Sequence, residues 1–476
     1  MGPDGGGIGL QAGGFVRVRT SAGNPRFPDG GPIINDRTDQ TRRPRFAIAA
    51  CAILLCTTPA AAVKVMTWRE LPSLPPSPGQ NAQPGLAGPF AGAAGGALIV
   101  GGGANFPDAP PWFGGKKAWW DDVFVLRPGA LAWLTDGRFK LPRPLAYGVS
   151  ITTDEGVVCI GGCDADRCYA DVFLLTWNED TKLIGIEALT SLPAPLAFAA
   201  GAKVDDVIYV AGGVETMTEN RSTKRFDALD LSKRGTDEFA WESLEPWPGP
   251  ARTLPVAAGQ TAGAGAGFYL FSGRTAAPDT PTEHLTDAYR YVPQTGEWER
   301  LADIAPEGEP PRSVNAATAL VWDDFHPILV LGGADVERFR KQEQTERQMR
   351  QATDPATLDA LAAQRREVFE THPGFPRQIL AFDTVAQIWL MAGMFPDMCP
   401  VTTVAVPWGD GFAITSGEIR PGVRTPKVWL GRFETVTTTG PSTARRYHAI
   451  LAIGLLAILA VSLYYSRRKS RREPSA

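Results

Sequence analysis

Histidine and cysteine are scarce in this chain. Its 476 residues include four histidines and six cysteines. A copper radical oxidase needs several His and Tyr ligands with a Tyr–Cys crosslink, and no such group can be assembled around His284, His326 or His372. A zinc site needs clustered Cys and His, whereas Cys163 and Cys168 have no histidine nearby. The composition therefore argues against metal chemistry, and we expect no metal and no cofactor.

The chain also lacks an excess of positive charge. Its 47 Lys and Arg residues are balanced by 51 Asp and Glu residues, for a net charge of -4. A nucleic-acid-binding domain normally shows a basic stripe or patch, often with interleaved aromatic residues. Repeated Ser-x-Asp-x-Gly turns, typical of sialidases, are absent as well. Nucleic-acid binding and sialidase chemistry are therefore set aside.

What the chain does contain is a repeat. A short apolar run ending in Gly-Gly or Ser-Gly recurs six times, and its last glycines are Gly103, Gly162, Gly213, Gly273, Gly333 and Gly417. Four of the five intervals are roughly 50 to 60 residues, the spacing of four-stranded propeller blades. Outer-strand tryptophans recur in the same order, at Trp68, Trp133, Trp241, Trp298 and Trp389. The pattern predicts an all-β, six-bladed propeller of kelch type.

Two further features complete the predicted propeller, which covers residues 63–434. The orphan strand at Trp68 to Leu71 precedes the first blade, and the last blade lacks an outer strand after Lys427 to Phe433, so the two ends complete one blade. The long fifth interval contains a charge-rich segment, residues 335–371, broken at Thr353-Asp354-Pro355. We expect a helical hairpin there, either a lid or a solvated decoration.

The two ends of the chain resemble targeting segments. Residues 1–62 form a leader whose apolar run from Phe46 to Cys56 is followed by three alanines, a pattern typical of a secretory signal. After a linker at residues 435–446, residues 447–465 are apolar enough for one transmembrane helix, and a basic tail follows at residues 466–476. We expect a membrane-anchored propeller on the periplasmic or extracellular side, where Cys163 and Cys168 could form a disulfide.

Two sets of polar residues are expected at one mouth of the propeller. In a four-stranded meander, the loop before the inner strand and the loop after the second strand return to the same face. The first set is Arg143, Arg252 and Arg312, and the second is Asn105, Glu418 and Arg424. Together they predict a cationic funnel around one carboxylate. The alternative is that each arginine beside a proline only binds neighbouring carbonyls at the rim.

The segment from Ser416 to Thr425 closely resembles the catalytic loop of the N-acetylneuraminate mutarotases, or sialate epimerases, which has the form G-E-x-x-P-G-x-R-T. The resemblance extends from Thr67 to about Glu434 and includes Gly102 to Pro107 and Leu145 to Ser150. The blade order is rotated, so the chain is similar to a cyclically permuted branch. Some members of that branch are followed by a sodium/solute symporter, which suggests a link to a sugar transporter.

The resemblance implies an isomerase that interconverts sugar anomers. It makes Glu418 the catalytic acid/base and Arg424 a substrate-binding partner; the remaining arginines and Asn105 come from the topology. Ring opening removes the proton of the anomeric hydroxyl and protonates the ring oxygen, which one carboxyl could do through water. The expected substrate is N-acetylneuraminate or a related acidic sugar. The alternative is a non-catalytic kelch module that binds a glycan or a protein.

Overall fold

Six antiparallel sheets are arranged as the blades of a propeller in the computed structural model, which describes residues 62–219, 221–278, 280–321 and 327–437. Each blade begins at an inner strand and is numbered in chain order. Blade 1 has strands Phe90–Ala94, Ala97–Gly101 and Val123–Leu126; blade 2 has Val149–Thr152, Val157–Ile160, Val172–Asn178 and Leu183–Ala188; blade 3 has Ala200–Val204, Val207–Ala211, Phe226–Asp230 and Trp241–Ser243. The six-bladed, all-β architecture is confirmed.

The other three blades follow the same plan. Blade 4 has strands Val256–Gln260, Gly267–Phe271, Ala288–Val292 and Glu297–Arg300; blade 5 has Thr318–Val321, Pro327–Leu331, Gln378–Asp383 and Ile388–Met394; blade 6 has Ala405–Trp408, Gly411–Thr415, Val428–Thr437 and, from the other end of the propeller, Ala62–Leu71. Ala62–Leu71 pairs antiparallel with Val428–Thr437 in the register Trp68↔Gly431. The predicted shared blade is therefore confirmed, and this pairing closes the ring.

Outer tryptophans join blades 1, 3, 4 and 5 to the blade before each of them. Their indole nitrogens donate hydrogen bonds to backbone carbonyls of the preceding blade, in the pairs Trp133 to Pro72, Trp241 to Thr190, Trp298 to Glu245 and Trp389 to Ala302. Between the sheets, alternate strand residues such as Phe90, Val157 and Phe173 form apolar clusters that span two blades. The aromatic residues thus bury apolar area and satisfy a polar group at the same time.

A closed ring of six backbone hydrogen bonds surrounds the shaft where the inner strands begin. Around the ring, each amide donates to the carbonyl of the equivalent residue that leads into the preceding blade, over distances of 2.7 to 2.9 Å. The members are Gly88, Tyr147, Phe198, Leu254, Ala316 and Thr402, and all six have positive φ between 47° and 63°. Five of them carry a side chain in a conformation that favours glycine, so the ring itself holds this backbone in place.

The helical hairpin lies between the second and third strands of blade 5. Helix α1 spans Val336–Gln351 and helix α2 spans Pro355–Glu370. Asp335 caps the first helix by accepting from the Arg338 amide, and Asp354 caps the second by accepting from the Thr357 amide. Three short two-stranded ribbons project from the blades at the same face. They are formed by Ala104–Asn105 with Ala118–Trp119 in blade 1, by Arg274–Thr275 with Glu283–His284 in blade 4, and by Glu418–Arg420 with Val423–Arg424 in blade 6.

The predicted leader and signal, residues 1–62, lie outside the described residues except for Ala62, which begins the strand Ala62–Leu71. The first three residues of the predicted linker at 435–446 belong instead to the strand Val428–Thr437. The rest of the linker and the predicted transmembrane helix and tail lie outside the described residues. Within the described ranges, neither of the two α-helices has the length and apolar character needed to cross a bilayer. The four cysteines of the propeller carry free thiols; Cys163 and Cys168 face each other across one backbone bridge.

Candidate active site

Glu418 and Arg424 face each other across a small β-ribbon that projects from blade 6. Its strands are Glu418–Arg420 and Val423–Arg424, and Glu418 is paired with Arg424. Ser416 fixes the base of this ribbon, because its hydroxyl accepts from the Leu86 amide at 2.8 Å and donates to the Thr425 carbonyl at 2.6 Å. The ribbon is thus tied to the loop that leads into blade 1.

The Glu418 carboxylate is held at one oxygen and free at the other. Oε1 accepts a hydrogen bond from the Gly422 amide at 2.8 Å and lies 3.3 Å from Nη1 of Arg424. Oε2 has no hydrogen-bond donor in the described part of the chain. The side chain is 20% exposed, so this oxygen remains accessible to a ligand or to water.

Arg424 is a nearly buried cation with spare donors. Its side chain is 5% exposed, and its guanidinium stacks over the ring of Phe106 at 4.7 Å. Within the described ranges, its Nε and Nη1 atoms make no hydrogen bond, and the 3.3 Å contact with Glu418 lacks hydrogen-bond geometry. Buried polar atoms are normally satisfied, so these two donors are suited to a bound anion or hydroxyl.

Arg274 holds the equivalent position in blade 4. It follows Ser272-Gly273 as Glu418 follows Ser416-Gly417, and it pairs with His284 across the ribbon formed by Arg274–Thr275 and Glu283–His284. Its half-buried guanidinium stacks over Phe339 of α1 at 4.8 Å. Burial lowers the pKa of Arg274, while the carboxylates of Glu418 and Glu343 oppose that shift.

The helical hairpin contacts three ribbons at this face. From α1, Glu343 accepts from the amide and the hydroxyl of Thr282, at 3.1 and 2.8 Å. From α2, Phe369 stacks on Trp112 with ring centroids 5.1 Å apart and an interplanar angle of 14°. Arg420, in the ribbon of blade 6, donates to the carbonyl of Glu370 at 3.3 Å. The hairpin therefore packs onto blades 4, 6 and 1 above the site.

Two buried histidines flank the site without forming a metal centre. Burial, Arg274 and Arg340 together lower the pKa of His284 to about 4, with Glu343 opposing them. Burial likewise lowers the pKa of His372, whose Nε2 lies 3.9 Å from Oδ2 of Asp335. Both rings are therefore neutral at pH 7. Among the described residues, no three His, Cys, Asp or Glu side chains are grouped to hold a metal ion.

Arg252 is not brought to the mouth. Its side chain is completely buried, and its guanidinium forms two hydrogen bonds to Asp287, at 2.9 and 2.8 Å, and one to the Ser272 carbonyl. The carbonyl of Arg252 accepts a hydrogen bond from the amide of Gly213, the signature glycine of blade 3. The signature glycines of blades 1 and 2 donate in the same way to the carbonyls of Leu145 and Leu196, which are buried. Arg252 thus replaces a core leucine, and this explains why it points into the wall.

The remaining predicted site residues are spread over the rim. Arg143 is half-exposed, stacks on Tyr169 and pairs with Asp171 at 3.1 Å. Arg312 is partly buried and lies 3.5 Å from Glu309. Asn105 is buried, and its amide group donates to the Gly85 carbonyl and accepts from Trp120, both at 2.9 Å. Of the six predicted residues, the structure brings together Glu418 and Arg424.

A cavity of about 530 Å³ occupies the shaft on the other side of the hydrogen-bonded ring. It is lined along the inner strands by small side chains such as Ala202, Ala258 and Ala319. Neither Glu418 nor Arg424 borders it. The cavity is therefore separate from the acid and the cations. Glu418 and Arg424 lie in the mouth beneath the hairpin.

Comparison with known sequences identifies the family. A sequence model of the family described as N-acetylneuraminate epimerase matches residues 57–184 and 189–443. The chain belongs to this family. The match includes both strands of the Glu418 ribbon, the helical hairpin and all six blades except for most of the outer strand of blade 2, Leu183–Ala188.

The N-acetylneuraminate epimerase of Yersinia enterocolitica is 29% identical over 277 residues, which are 53% of this chain and 63% of that protein. The protein of the same name from Salmonella enteritidis is 43% identical over 129 residues, 25% of this chain and 33% of that protein. The chain thus spans less than two thirds of the length of these curated relatives. A solved chain described as "Structure of YjhT" aligns with a TM-score of 0.49 and 14% identity, covering 78% of this chain and 97% of that one.

Sequence reasoning overlooked Arg274, although a signal for it exists in this member of the epimerase family. The residue after each signature glycine enters the mouth, and the six are Ala104, Cys163, Val214, Arg274, Ala334 and Glu418. Two of them are charged, in blades 4 and 6. Aligning the six repeats at their glycines would have selected Arg274 together with Glu418.

Proposed function

We propose that this chain is a sugar mutarotase that interconverts the anomers of N-acetylneuraminate or a related acidic sugar. The observation that carries this proposal is the Glu418–Arg424 pair: an acid/base group with one oxygen tethered and one free, beside a cation with unused donors. The relatives named N-acetylneuraminate epimerase support the same chemistry.

In the proposed reaction, Glu418 accepts the proton of the anomeric hydroxyl while the bond between the anomeric carbon and the ring oxygen breaks. The ring oxygen gains a proton, so the products are an open-chain keto sugar and a carboxyl group returned to its starting state. Rotation about the bond to the anomeric carbon and reclosure yield the other anomer. Oε1 keeps the Gly422 hydrogen bond throughout, and Oε2 exchanges protons with the sugar, directly or through one water.

Arg424 lies 3.3 Å from Oε1 of Glu418 and offers its spare Nε and Nη1 donors to substrate oxygens. Its stacking on Phe106 fixes the plane of the guanidinium. A preorganised cation of this kind stabilises negative charge that develops on oxygen as the ring opens. The hairpin above the mouth limits the access of bulk water to this charge.

The test is anomer exchange of N-acetylneuraminate measured by saturation-transfer NMR. Glu418→Gln keeps the size of the side chain and an oxygen for the Gly422 amide but cannot take a proton, so we expect exchange to fall to the uncatalysed rate. Glu367→Gln, which removes an exposed carboxylate from α2, is the matched control and should exchange like the wild type. Sugar binding by the wild type without accelerated exchange would instead favour a non-catalytic binding module.

The proposal places this activity outside the cell membrane, on the strength of the signal and transmembrane patterns in the sequence. Faster interconversion there would replenish whichever anomer a sugar transporter removes. Fractionation of cells expressing the tagged full chain, combined with protease treatment of intact spheroplasts, tests this placement. A chain recovered in the soluble interior would contradict it.

A further inference from the structure

Arg274 and Glu418 emerge from equivalent points of the propeller wall. The backbone of each residue forms two hydrogen bonds, one donated and one accepted, with a residue of the loop that precedes an inner strand. The partner is Thr253 for Arg274 and Val401 for Glu418, at distances of 2.8 to 3.0 Å. Each then opens a two-stranded ribbon. Blades 4 and 6 are two positions apart in a six-membered ring, so the two side chains leave the wall at the same level and face a common space.

The guanidinium of Arg274 has no fixed anion, unlike those of two other arginines that are largely withdrawn from solvent. Arg252 is neutralised by Asp287, and Arg225 by Asp227. Within the described ranges, no carboxylate oxygen lies within 4.0 Å of Arg274. Its nearest acidic neighbour on α1, Glu343, is already occupied by the amide and hydroxyl of Thr282.

Phe339 leaves the edge of the Arg274 guanidinium open while it covers one face. The central carbon of the guanidinium lies over the ring, 4.8 Å from its centroid, a distance at which the cation is attracted to the aromatic face. A planar fork with its edge free is the arrangement that binds a carboxylate through two parallel hydrogen bonds. A lysine at this place could supply the charge but not the paired geometry.

Unused polar atoms lie in the same cluster. Asn315 donates both amide hydrogens, to Nδ1 of His284 at 3.1 Å and to the hydroxyl of Ser313 at 3.0 Å. Because Nδ1 accepts, the proton of the neutral imidazole lies on Nε2. That donor, and the Oδ1 acceptor of the completely buried Asn315, have no hydrogen-bond partner among the described residues. Buried unsatisfied atoms of this kind indicate a place for a polar ligand.

We propose that Arg274 binds the carboxylate of a sugar acid and thereby selects acidic over neutral sugars. The sugar lies between blades 4 and 6, with its carboxylate on Arg274 and its anomeric hydroxyl on Glu418. This arrangement requires a carboxylate attached next to the anomeric carbon. The inference rests on the function proposed above. Arg252 is not available for this role, because its guanidinium is already bound to Asp287 inside the wall.

The experiment compares N-acetylneuraminate with its methyl ester, which removes the charge of the carboxylate and adds one methyl group. For the wild type we expect a clear preference for the acid in KM. In Arg274→Met, which retains contact with Phe339, KM for the acid should rise roughly 10- to 100-fold, as expected for a lost charged hydrogen bond, with kcat changed less than KM. KM for the ester should stay near its wild-type value.

Two more variants make the result specific. Arg274→Lys should recover part of the preference for the acid, since it restores the charge alone. Arg366→Met, which removes another arginine stacked on a phenylalanine, at 5.2 Å from the ring of Phe113, should leave both KM values unchanged. In the inactive Glu418→Gln background, titration of the acid by NMR line broadening should show the same loss of affinity when Arg274→Met is added.

An acid-to-ester preference that is unchanged in Arg274→Met would overturn this inference. The proposed mutarotase function would then still stand, provided that Glu418→Gln abolishes exchange. Wild-type exchange rates no faster than the uncatalysed reaction would contradict the function itself. If Arg274→Met fails to fold, Arg274→Lys decides the question: an unchanged preference in that variant argues against a two-pronged contact.

Discussion

Arg252 and Asp287 form a two-pronged ion pair inside the wall where blades 3 and 4 meet, with Nη1–Oδ1 and Nη2–Oδ2 distances of 2.9 and 2.8 Å. The arginine is completely buried, and the aspartate side chain is 12% exposed. In such a pair each charge compensates the desolvation of the other. Removal of one partner leaves an uncompensated charge in the core, whereas removal of both does not.

We therefore expect Asp287→Ala to lower the free energy of unfolding by about 3–5 kcal/mol. The double variant Arg252→Leu with Asp287→Ala should lose less of the free energy of unfolding. Leucine fits this position, because the equivalent residues of the propeller are the buried Leu145 and Leu196. Equilibrium unfolding in urea measures both. Asp410→Ala, which breaks an exposed pair with Arg432, is the control and should change little. A double variant less stable than the single one would contradict this account.

The turn that holds Glu418 depends on Gly422. This glycine has φ of +79°, its amide binds Oε1 of Glu418, and an added Cβ would lie 2.7 Å from Pro111 and 2.9 Å from Trp112. Gly114 has the same φ of +79°, but an added Cβ there meets no atom within 4 Å. Replacement of either glycine by alanine would therefore cause the same backbone strain. Only at Gly422 would the added methyl group also collide with neighbouring atoms.

Gly422→Ala should therefore displace the ribbon and lower kcat for anomer exchange by roughly 10-fold or more, since small misplacements of a catalytic group are costly. Gly114→Ala should retain kcat while losing about 1–2 kcal/mol of stability from the left-handed alanine. Exchange NMR and urea unfolding on the same samples separate the two effects. Equal kcat values in the two variants would show that the Gly422 turn does not position Glu418.

The repeats made the ring and its closure predictable, because the signature glycines and Trp68 are local signals with a fixed meaning in a propeller. The Glu418 ribbon could be placed at a mouth for the same reason. The direction of the Arg252 side chain could not be predicted, because a neighbouring proline does not reveal whether a residue lies at the rim or in the core. Its alignment with Leu145 and Leu196 settles this once the register is known.

The docking of the helical hairpin could not be predicted either. Its helices are rich in charge and bury few residues, Thr345 on α1 and Val368 and Phe369 on α2. A sequence with so weak an apolar face is equally compatible with a free decoration. The partner of Phe369, Trp112, lies more than 250 residues away in the chain.

Removal of the Phe369 ring should loosen the hairpin. Phe369 is 6% exposed and stacks on Trp112, so Phe369→Ala removes buried apolar contact that holds α2 against blade 1. We expect amide hydrogen exchange in both helices to accelerate at least 10-fold while the blade strands keep their protection. Leu358→Ala, a half-exposed position on the same helix, is the control and should exchange like the wild type. Equal rates in the two variants would show that the stack does not fix the hairpin.

Acid should destabilise the fold through the buried ring of His284. The pKa of His284 is lowered to about 4 by burial and by Arg274 and Arg340, against a small opposing effect of Glu343. As pH falls below about 6.5, the imidazole of His284 becomes protonated in the unfolded chain. In the folded chain it stays neutral until about pH 4. The unfolded state thus binds more protons, and the free energy of unfolding decreases across this window, by roughly 3 kcal/mol for this residue alone.

His284→Asn removes the titration while keeping an oxygen that can accept the Asn315 hydrogen bond. The variant should be less stable than the wild type at pH 7, because the ring no longer packs on Phe339. The gap should then narrow as pH is lowered toward 4.5, since the wild type alone loses the His284 contribution. Urea unfolding at several pH values measures this difference, and His372, whose pKa is also lowered, contributes equally to both proteins. Parallel stability curves for the two proteins would mean that His284 is protonated in the folded state near its ordinary pKa.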